Sequence, residues 1–222
     1  MNDNAVVRVK SNGPYEVSGG LPVSRREEVE SEHGEPLTWR TTDELPSSAL
    51  YALCRCGGSS RKPFCDGTHA RVGFDGTEAA PTDDYEARAT TYAGTGIVME
   101  DDRGLCEHAG FCGNRVSNVW KMVRETGESI TRAQVMAMIE RCPSGALTYR
   151  LAAGEAPVEP LLPAAIGVVK DGPLWLTGGV RVERADGQPF EVRNRVTLCR
   201  CGQSANKPLC DGSHKGAGFT DG

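Results

Sequence analysis

The sequence predicts an α+β chain that is mainly β: two small β units, each closing on a metal loop, with a small α+β unit between them. Three observations carry this. The string Cys-Arg-Cys-x8-Cys-x3-His occurs twice with every spacing kept, from Cys54 to His69 and from Cys199 to His214. Two such strings 145 residues apart are an internal repeat. Short alternating apolar stretches and Gly-Gly pairs precede each string, which suits strands and turns. Helical spacing of apolar residues occurs between the repeats, at Val116, Val119, Trp120 and Val123 and again at Val135, Met138 and Ile139.

Each repeat begins well before its cysteines. Lys10 to Gly20 matches Lys170 to Gly179, with one residue fewer in the second copy. Val7 and Val9, and Leu174 and Leu176, alternate as strand residues do. The Gly-Gly pair stands 34 residues before Cys54 but 20 before Cys199. The excess falls in the charged stretch Arg25 to Glu35, which reads as a solvated loop insertion. Ala52-Leu53 and Thr197-Leu198 lead into the cysteines as strand ends. Cys54 and Cys56, two apart, project to one side of an extended strand. Gly57-Gly58 permits a tight reversal, and Pro63 and Pro208 stiffen the approach to the third cysteine. Asp66 and Asp211 are expected as N-caps of a short turn that brings His69 and His214 back toward the thiols. On spacing alone, a Cys3His structural zinc site also fits.

Between the repeats, Tyr92 to Met99 is expected as a strand and Asn114 to Thr126 as a helix stopped by Gly127. Thr131, with Gln134 three residues on, is expected to cap a second helix. That helix presents Val135, Met138, Ile139 and Cys142 on one face, and Leu147 to Leu151 returns as a strand. Three cysteines belong to this unit: Cys106 and Cys112 as C-x5-C, and Cys142 followed by Pro143. Bacterial ferredoxins use C-x2-C-x2-C with a distant C-P; here Ala109 occupies the middle position. Three thiolates suit a 3Fe-4S cluster. A 4Fe-4S cluster needs a fourth ligand, and His108 is the nearest candidate; the alternatives are that His108 donates a hydrogen bond to a sulfide or faces solvent. His33 stands in the charged insertion with no cysteine nearby and reads as a surface residue. Gly73 to Ala89 and Ala152 to Pro163 read as linkers, the second stiffened by Pro157, Pro160 and Pro163.

Composition narrows the function. Of the 222 residues 38% are apolar and 6% aromatic, against roughly 45–50% apolar in globular chains, so burial alone is a thin source of stability. Nine cysteines fill that gap, and all fall into the three groups above. The N-terminal Met-Asn-Asp-Asn lacks the basic and apolar segments of a secretory signal. A cytoplasmic, reducing setting is therefore expected, where disulfides are rare, and the cysteines read as metal or cluster ligands. The longest apolar run, Leu161 to Val169, is broken by Pro163 and falls far short of the ~20 residues of a membrane span. With 25 Lys and Arg against 30 Asp and Glu, a net charge of −5, no nucleic-acid footprint is present. No G-x-G-x-x-G or Walker sequence marks a nucleotide cofactor. No catalytic residue is expected, and the chain reads as a carrier rather than an enzyme.

Both Cys-His strings resemble the CDGSH iron–sulfur domain of the mitoNEET-like family, whose pattern is C-x-C-x2-(S/T)-x3-P-x-C-D-G-(S/T/A)-H. The matches are Ser59, Pro63, Asp66, Gly67 and Thr68, and Ser204, Pro208, Asp211, Gly212 and Ser213. The resemblance implies one 2Fe-2S cluster on Cys54, Cys56, Cys65 and His69 and a second on Cys199, Cys201, Cys210 and His214. The middle stretch, with C-x-H-x-G-x-C and C-P-S-G-A-L, resembles the divergent mono-cluster ferredoxins. That likeness implies one 3Fe-4S or 4Fe-4S cluster on Cys106, Cys112 and Cys142, with His108 as the candidate fourth ligand. The units are then residues 1–75, 85–151 and 160–222. Single-motif members of the CDGSH family form strand-exchanged homodimers, so two copies in one chain imply an intramolecular pseudo-dimer and a monomer in solution. Three redox centres imply electron transfer to and from a redox protein, proton-coupled through the His ligands, whose second ring nitrogen stays free. The competing readings are a protein that stores clusters or transfers them to an apo-acceptor, and a regulatory subunit of a larger oxidoreductase.

Overall fold

Apolar residues recur along the strands of both repeats, and the structure uses them to weave the repeats together. The computed structural model describes residues 5–221; the N-terminal Met-Asn-Asp-Asn, on which the expectation of no secretory signal rests, lies outside the described residues. The first repeat comprises β1 (Val6–Val9), β2 (Tyr15–Ser18), β3 (Val23–Glu30), β4 (Pro36–Leu45), β5 (Leu50–Leu53) and a helical turn, α1 (Thr68–Arg71). The middle unit comprises α2 (Tyr85–Arg88), β6 (Thr90–Gly94), β7 (Ile97–Asp101), α3 (Val119–Met122), α4 (Ser129–Glu140) and β8 (Leu147–Arg150). The second repeat comprises β9 (Ala165–Val169), β10 (Leu174–Thr177), β11 (Arg181–Glu183), β12 (Arg195–Leu198) and α5 (Ser213–Gly216). The chain is mainly β with few helices, the class read from its sequence.

The two repeats exchange strands. One sheet has the order β11-β1-β2-β5 and another β12-β10-β9-β3-β4. Thus β11 of the second repeat joins the first sheet, parallel to β1, with Val6 opposite Arg181 and Val7 opposite Val182. Reciprocally, β3 joins the second sheet, parallel to β9, with Val23 opposite Ile166. Each exchanged strand follows its Gly-Gly pair, whose glycines all have positive φ and so take a turn that Cβ-bearing residues resist. A single core results. Val7, Val17, Val23 and Leu53 of the first repeat pack with Ile166, Val168, Leu176 and Leu198 of the second, and with Tyr85, Leu105 and Ala146 of the middle unit. The middle unit adds the sheet β6-β7-β8 and its own core of Ile97, Met99, Val119, Val135, Ile139 and Tyr149.

Several expectations are corrected. Arg25 to Glu35 is not a solvated loop: β3 runs through it and pairs with β4 as a hairpin, Val23 opposite Leu45 and Glu28 opposite Trp39. Backbone pairing to β9 holds this polar ribbon, so its charged side chains carry no alternating apolar signal. Gly73 to Ala89 is not a free linker, since Ala80 and Tyr85 are buried and the Tyr85 hydroxyl donates to Ala146 O at 3.1 Å. Tyr92 to Met99 is a hairpin turning at Gly96, whose φ is +67°. The helix expected over Asn114 to Thr126 starts only at Val119, because the Asn114 side chain accepts from Val116 N and Ser117 N and closes a turn there. The next helix begins at Ser129, so Thr131 lies inside it rather than at its cap. No helix among the described residues is long and apolar enough to cross a membrane.

Tyr15 ties the two repeats together at their most buried point. Its ring lies 5.6 Å from the Arg55 guanidinium, and its hydroxyl reaches Cys199 O at 2.7 Å and Pro208 O at 3.0 Å. Tyr15→Phe is expected to cost about 1–2 kcal/mol, because a buried hydrogen bond is lost with little else changed. Chemical denaturation checks this, and an unmoved midpoint would mean that the hydroxyl does not join the repeats.

Candidate metal centres

The two Cys-His loops are built alike. Cys54 N donates to Pro63 O at 2.7 Å and Cys65 N to Ala52 O at 2.9 Å. The second loop repeats this with Cys199 N to Pro208 O at 2.8 Å and Cys210 N to Thr197 O at 2.9 Å. These bonds lay the third cysteine beside the strand that carries the first. Ser59 Oγ donates to Phe64 O and Ser204 Oγ to Leu209 O, both at 2.7 Å, which folds the intervening residues. Asp66 accepts from Ser60 N and Thr68 N, and these bonds hold its carboxyl below the usual carboxylate range. Asp211 does the same with Ala205 N and Ser213 N. Neither aspartate is the N-cap itself: that position belongs to Gly67 and Gly212, each at φ +84°.

The donors come in pairs. Cys54 Sγ lies 3.8 Å from Cys56 Sγ, and Cys65 Sγ 3.4 Å from His69 Nδ1. In the second loop the distances are 3.6 Å for Cys199 and Cys201 and 3.4 Å for Cys210 and His214 Nδ1. Two donors bound at roughly 2.0–2.3 Å to one tetrahedral metal stand about 3.5–3.8 Å apart. Each pair thus matches two terminal ligands of one metal, and each loop offers two pairs. Among the described residues no three Cys, His, Asp or Glu side chains converge on a single ion. The arrangement fits a dinuclear group better than one zinc. Backbone N–H groups of Gly58, Gly67 and Gln203 point at Cys56, Cys65 and Cys201 Sγ, each at 3.4 Å.

The surroundings of the donors also set their protonation. Burial, then the Cys54 charge against the Gly58 N–H, pushes the Cys56 thiol up. Burial and the buried Glu107 push Cys210 up. Cys199 and Cys201 share one proton, which raises Cys201. Burial, with Lys215 and Arg200 nearby, brings His214 down to about 4, so its ring is neutral at physiological pH, the form that binds metals.

Arg55 and Arg200, between the paired cysteines, point the other way and are 1% exposed. Arg55 donates to Lys10 O and Gly76 O. Arg200 donates to Val169 O, Gly172 O and the Asp221 carboxylate, 2.8 Å away. The two loops meet backbone to backbone: Cys56 and Cys201 form an antiparallel bridge.

In the middle unit Cys106, Cys112 and Cys142 line one cavity of about 140 Å³, together with Arg103, His108 and Phe111. Burial and the mutual charges of Cys142 and Cys106 push Cys112 up to about 11. The Cys142 hydrogen-bond partner is the Ser144 hydroxyl, 3.6 Å away. His108 is exposed; its backbone N–H turns toward Cys106, and its ring lies beside Gly212 of the second loop. His33 is exposed, paired with Glu32 at 3.4 Å. Three thiols around one cavity fit a polynuclear group here too.

Residues 12–70 and 171–215 match the family described as the iron-binding zinc finger of CDGSH type, and residues 92–152 match the divergent 4Fe-4S mono-cluster family. Two CDGSH domains therefore flank a divergent mono-cluster domain. No curated protein and no solved structure matches the chain. The family domains make it an iron–sulfur protein. Beyond the CDGSH ligands, sequence reasoning missed Tyr15, Arg55, Arg195 and Arg200. The arginine recurring in both Cys-Arg-Cys strings was a usable signal for two of them; Tyr15 and Arg195 carry none.

Proposed function

We propose that the chain is a multi-centre electron carrier without a substrate of its own. Two 2Fe-2S clusters sit on Cys54, Cys56, Cys65 and His69 and on Cys199, Cys201, Cys210 and His214. A third cluster sits on Cys106, Cys112 and Cys142, either 3Fe-4S or 4Fe-4S with His108 as the candidate fourth ligand. Bound iron–sulfur clusters supply one-electron redox chemistry; the chain supplies position and shielding. The observation that carries the reading is that the three ligand loops touch in series. Glu107 and His108, beside Cys106, pack on Gly212 and receive Lys215 Nζ on His108 O at 2.6 Å. Cys201 in turn bridges Cys56. The strand exchange supports a monomer as the working unit.

Iron and acid-labile sulfide analysis with EPR tests the reading. Seven irons per chain are expected with a 3Fe-4S centre, from 2 + 2 + 3, and eight with a 4Fe-4S centre. Stoichiometric zinc without visible absorbance would overturn it. Proton coupling belongs to the same proposal, because Nδ1 faces the thiols and leaves Nε2 as the free ring nitrogen. Voltammetry should give a slope near −59 mV per pH unit for each CDGSH centre within its coupled window. His69→Cys and His214→Cys should each remove the slope of their own centre, and an unchanged slope in the double variant refutes the coupling.

A further inference from the structure

The two CDGSH loops share a sequence pattern but not an environment. In the second loop Cys199, Cys201, Cys210 and His214 are all buried, His214 being 6% exposed. In the first, Cys54 is buried while Cys56, Cys65 and His69 are partly exposed. Part of the difference comes from the middle domain. A Cβ on Gly212 would stand 2.9 Å from Glu107 O and 3.0 Å from His108 Cδ2, whereas one on the matching Gly67 meets nothing within 4 Å among the described residues. Lys215 Nζ donates to His108 O at 2.6 Å, and Asn206 Nδ2 donates to Gly104 O at 2.7 Å. The first repeat has Ala70 and Arg61 at those positions. The asymmetry is thus written into two side chains as well as into the docking of the 104–108 segment.

We propose, resting on the iron–sulfur reading above, that the middle domain caps the second CDGSH site and leaves the first as the port at which metal exchanges with an incoming ligand. Exchange at either site needs an incoming donor to reach the metal beside the imidazole. One donor bond forms as the Nδ1 bond breaks, and no electron moves. At the first site the partly exposed His69 gives that access. At the second the 104–108 segment must lift first, so exchange waits on local opening. The same access argument makes the first loop the face that an acceptor protein with free thiols would meet.

Iron release from the intact protein to EDTA tests this, followed by iron counting in native mass spectrometry. The two CDGSH centres should empty in separate phases, on the order of tenfold or more apart. His69→Cys should slow the fast phase, and His214→Cys should act on the slow phase. Asn206→Ala with Lys215→Ala should speed the slow phase roughly three- to tenfold by removing two hydrogen bonds to the cap. Equal release from both sites, a fast phase that follows His214, or a slow phase untouched by the double variant overturns the cap. Hydrogen exchange supplies a readout independent of the cluster type: residues 212–216 should exchange more slowly than 67–71. Equal protection also overturns the cap, whereas missing sulfide with unequal protection would refute only the iron–sulfur reading.

Discussion

Gly57→Ala and Gly202→Ala are each expected to destabilise the protein by about 3 kcal/mol or more, at the upper end of single substitutions. Two costs combine. Both glycines have positive φ, +78° and +81°, where a Cβ is strained by about 1–2 kcal/mol. The larger cost is contact. A Cβ on Gly57 would lie 2.5 Å from Cys201 O and 2.9 Å from Cys201 C, and one on Gly202 2.6 Å from Cys56 O. Those are backbone atoms of a cluster loop, so no side chain can swing away. The loops must part, and each alanine disturbs the partner's site as well as its own. Gly67→Ala is the control, with φ +84° but open space around its Cβ, so it should show the strain alone, about 1–2 kcal/mol. The double variant should cost less than the sum, because the first alanine already opens the bridge. Denaturation midpoints with iron content measure all four proteins. A Gly57→Ala protein as stable as Gly67→Ala, holding all its iron, would show that the loops do not lean on one another.

How far the sequence could be read follows from what each feature needs. A metal loop needs fixed residue types at fixed spacing, so the two matching loops from Cys54 to His69 and from Cys199 to His214 were legible as a repeat without any structure. The exchange of strands was implied by the family resemblance alone, not by hydropathy, since Val23 and Val182 look like ordinary strand residues until their partners are known. The β3–β4 hairpin escaped notice because Arg25 to Glu30 pairs through backbone while its side chains stay polar. Its one aromatic residue, Trp39, packs at a tilt on Trp175 of the second repeat and Phe111 of the middle domain, both at 5.1 Å between centroids. Those neighbours lie 136 and 72 residues away, and no local pattern encodes such a contact.

The same hairpin shows why the middle domain cannot be treated as a bead on a string. Pro36 approaches Gly110 within 3.2 Å of where a Cβ would stand, next to Cys112. The insertion that lengthens the first repeat therefore bridges the second repeat's sheet and the middle domain's cysteine loop. Cluster loops that come from three parts of the chain are thus held in place by elements of the other parts.

Arg195→Met is expected to cost about 3–5 kcal/mol and to empty the middle centre, since it removes one partner of a buried, fully bonded charge. Arg195 belongs to β12 of the second CDGSH domain and is 1% exposed. Its guanidinium donates to Ile139 O, Glu140 O, Cys142 O and Leu147 O, and to the Glu159 carboxylate at 2.8 Å. The first two oxygens end α4 and the third lies two residues beyond it, a place where a positive charge is favoured. One side chain from another domain thus closes the helix that delivers Cys142. Methionine keeps the volume but supplies no donor, so the Glu159 carboxylate loses its cation and the carbonyls around Cys142 keep only their backbone donors, Cys142 N on Ile139 O and Gly145 N on Cys142 O. Lysine keeps the charge but cannot span carbonyls on both sides of Cys142, so Arg195→Lys should recover only part of the loss. Glu159→Gln should cost less than either, because Glu159 is a quarter exposed and water can replace it. Iron content should fall by the three or four irons of the middle centre while the four of the CDGSH centres remain, and unfolding should separate into two transitions. An Arg195→Met protein with its full iron and a single transition near the parent midpoint would show that the middle domain carries Cys142 unaided.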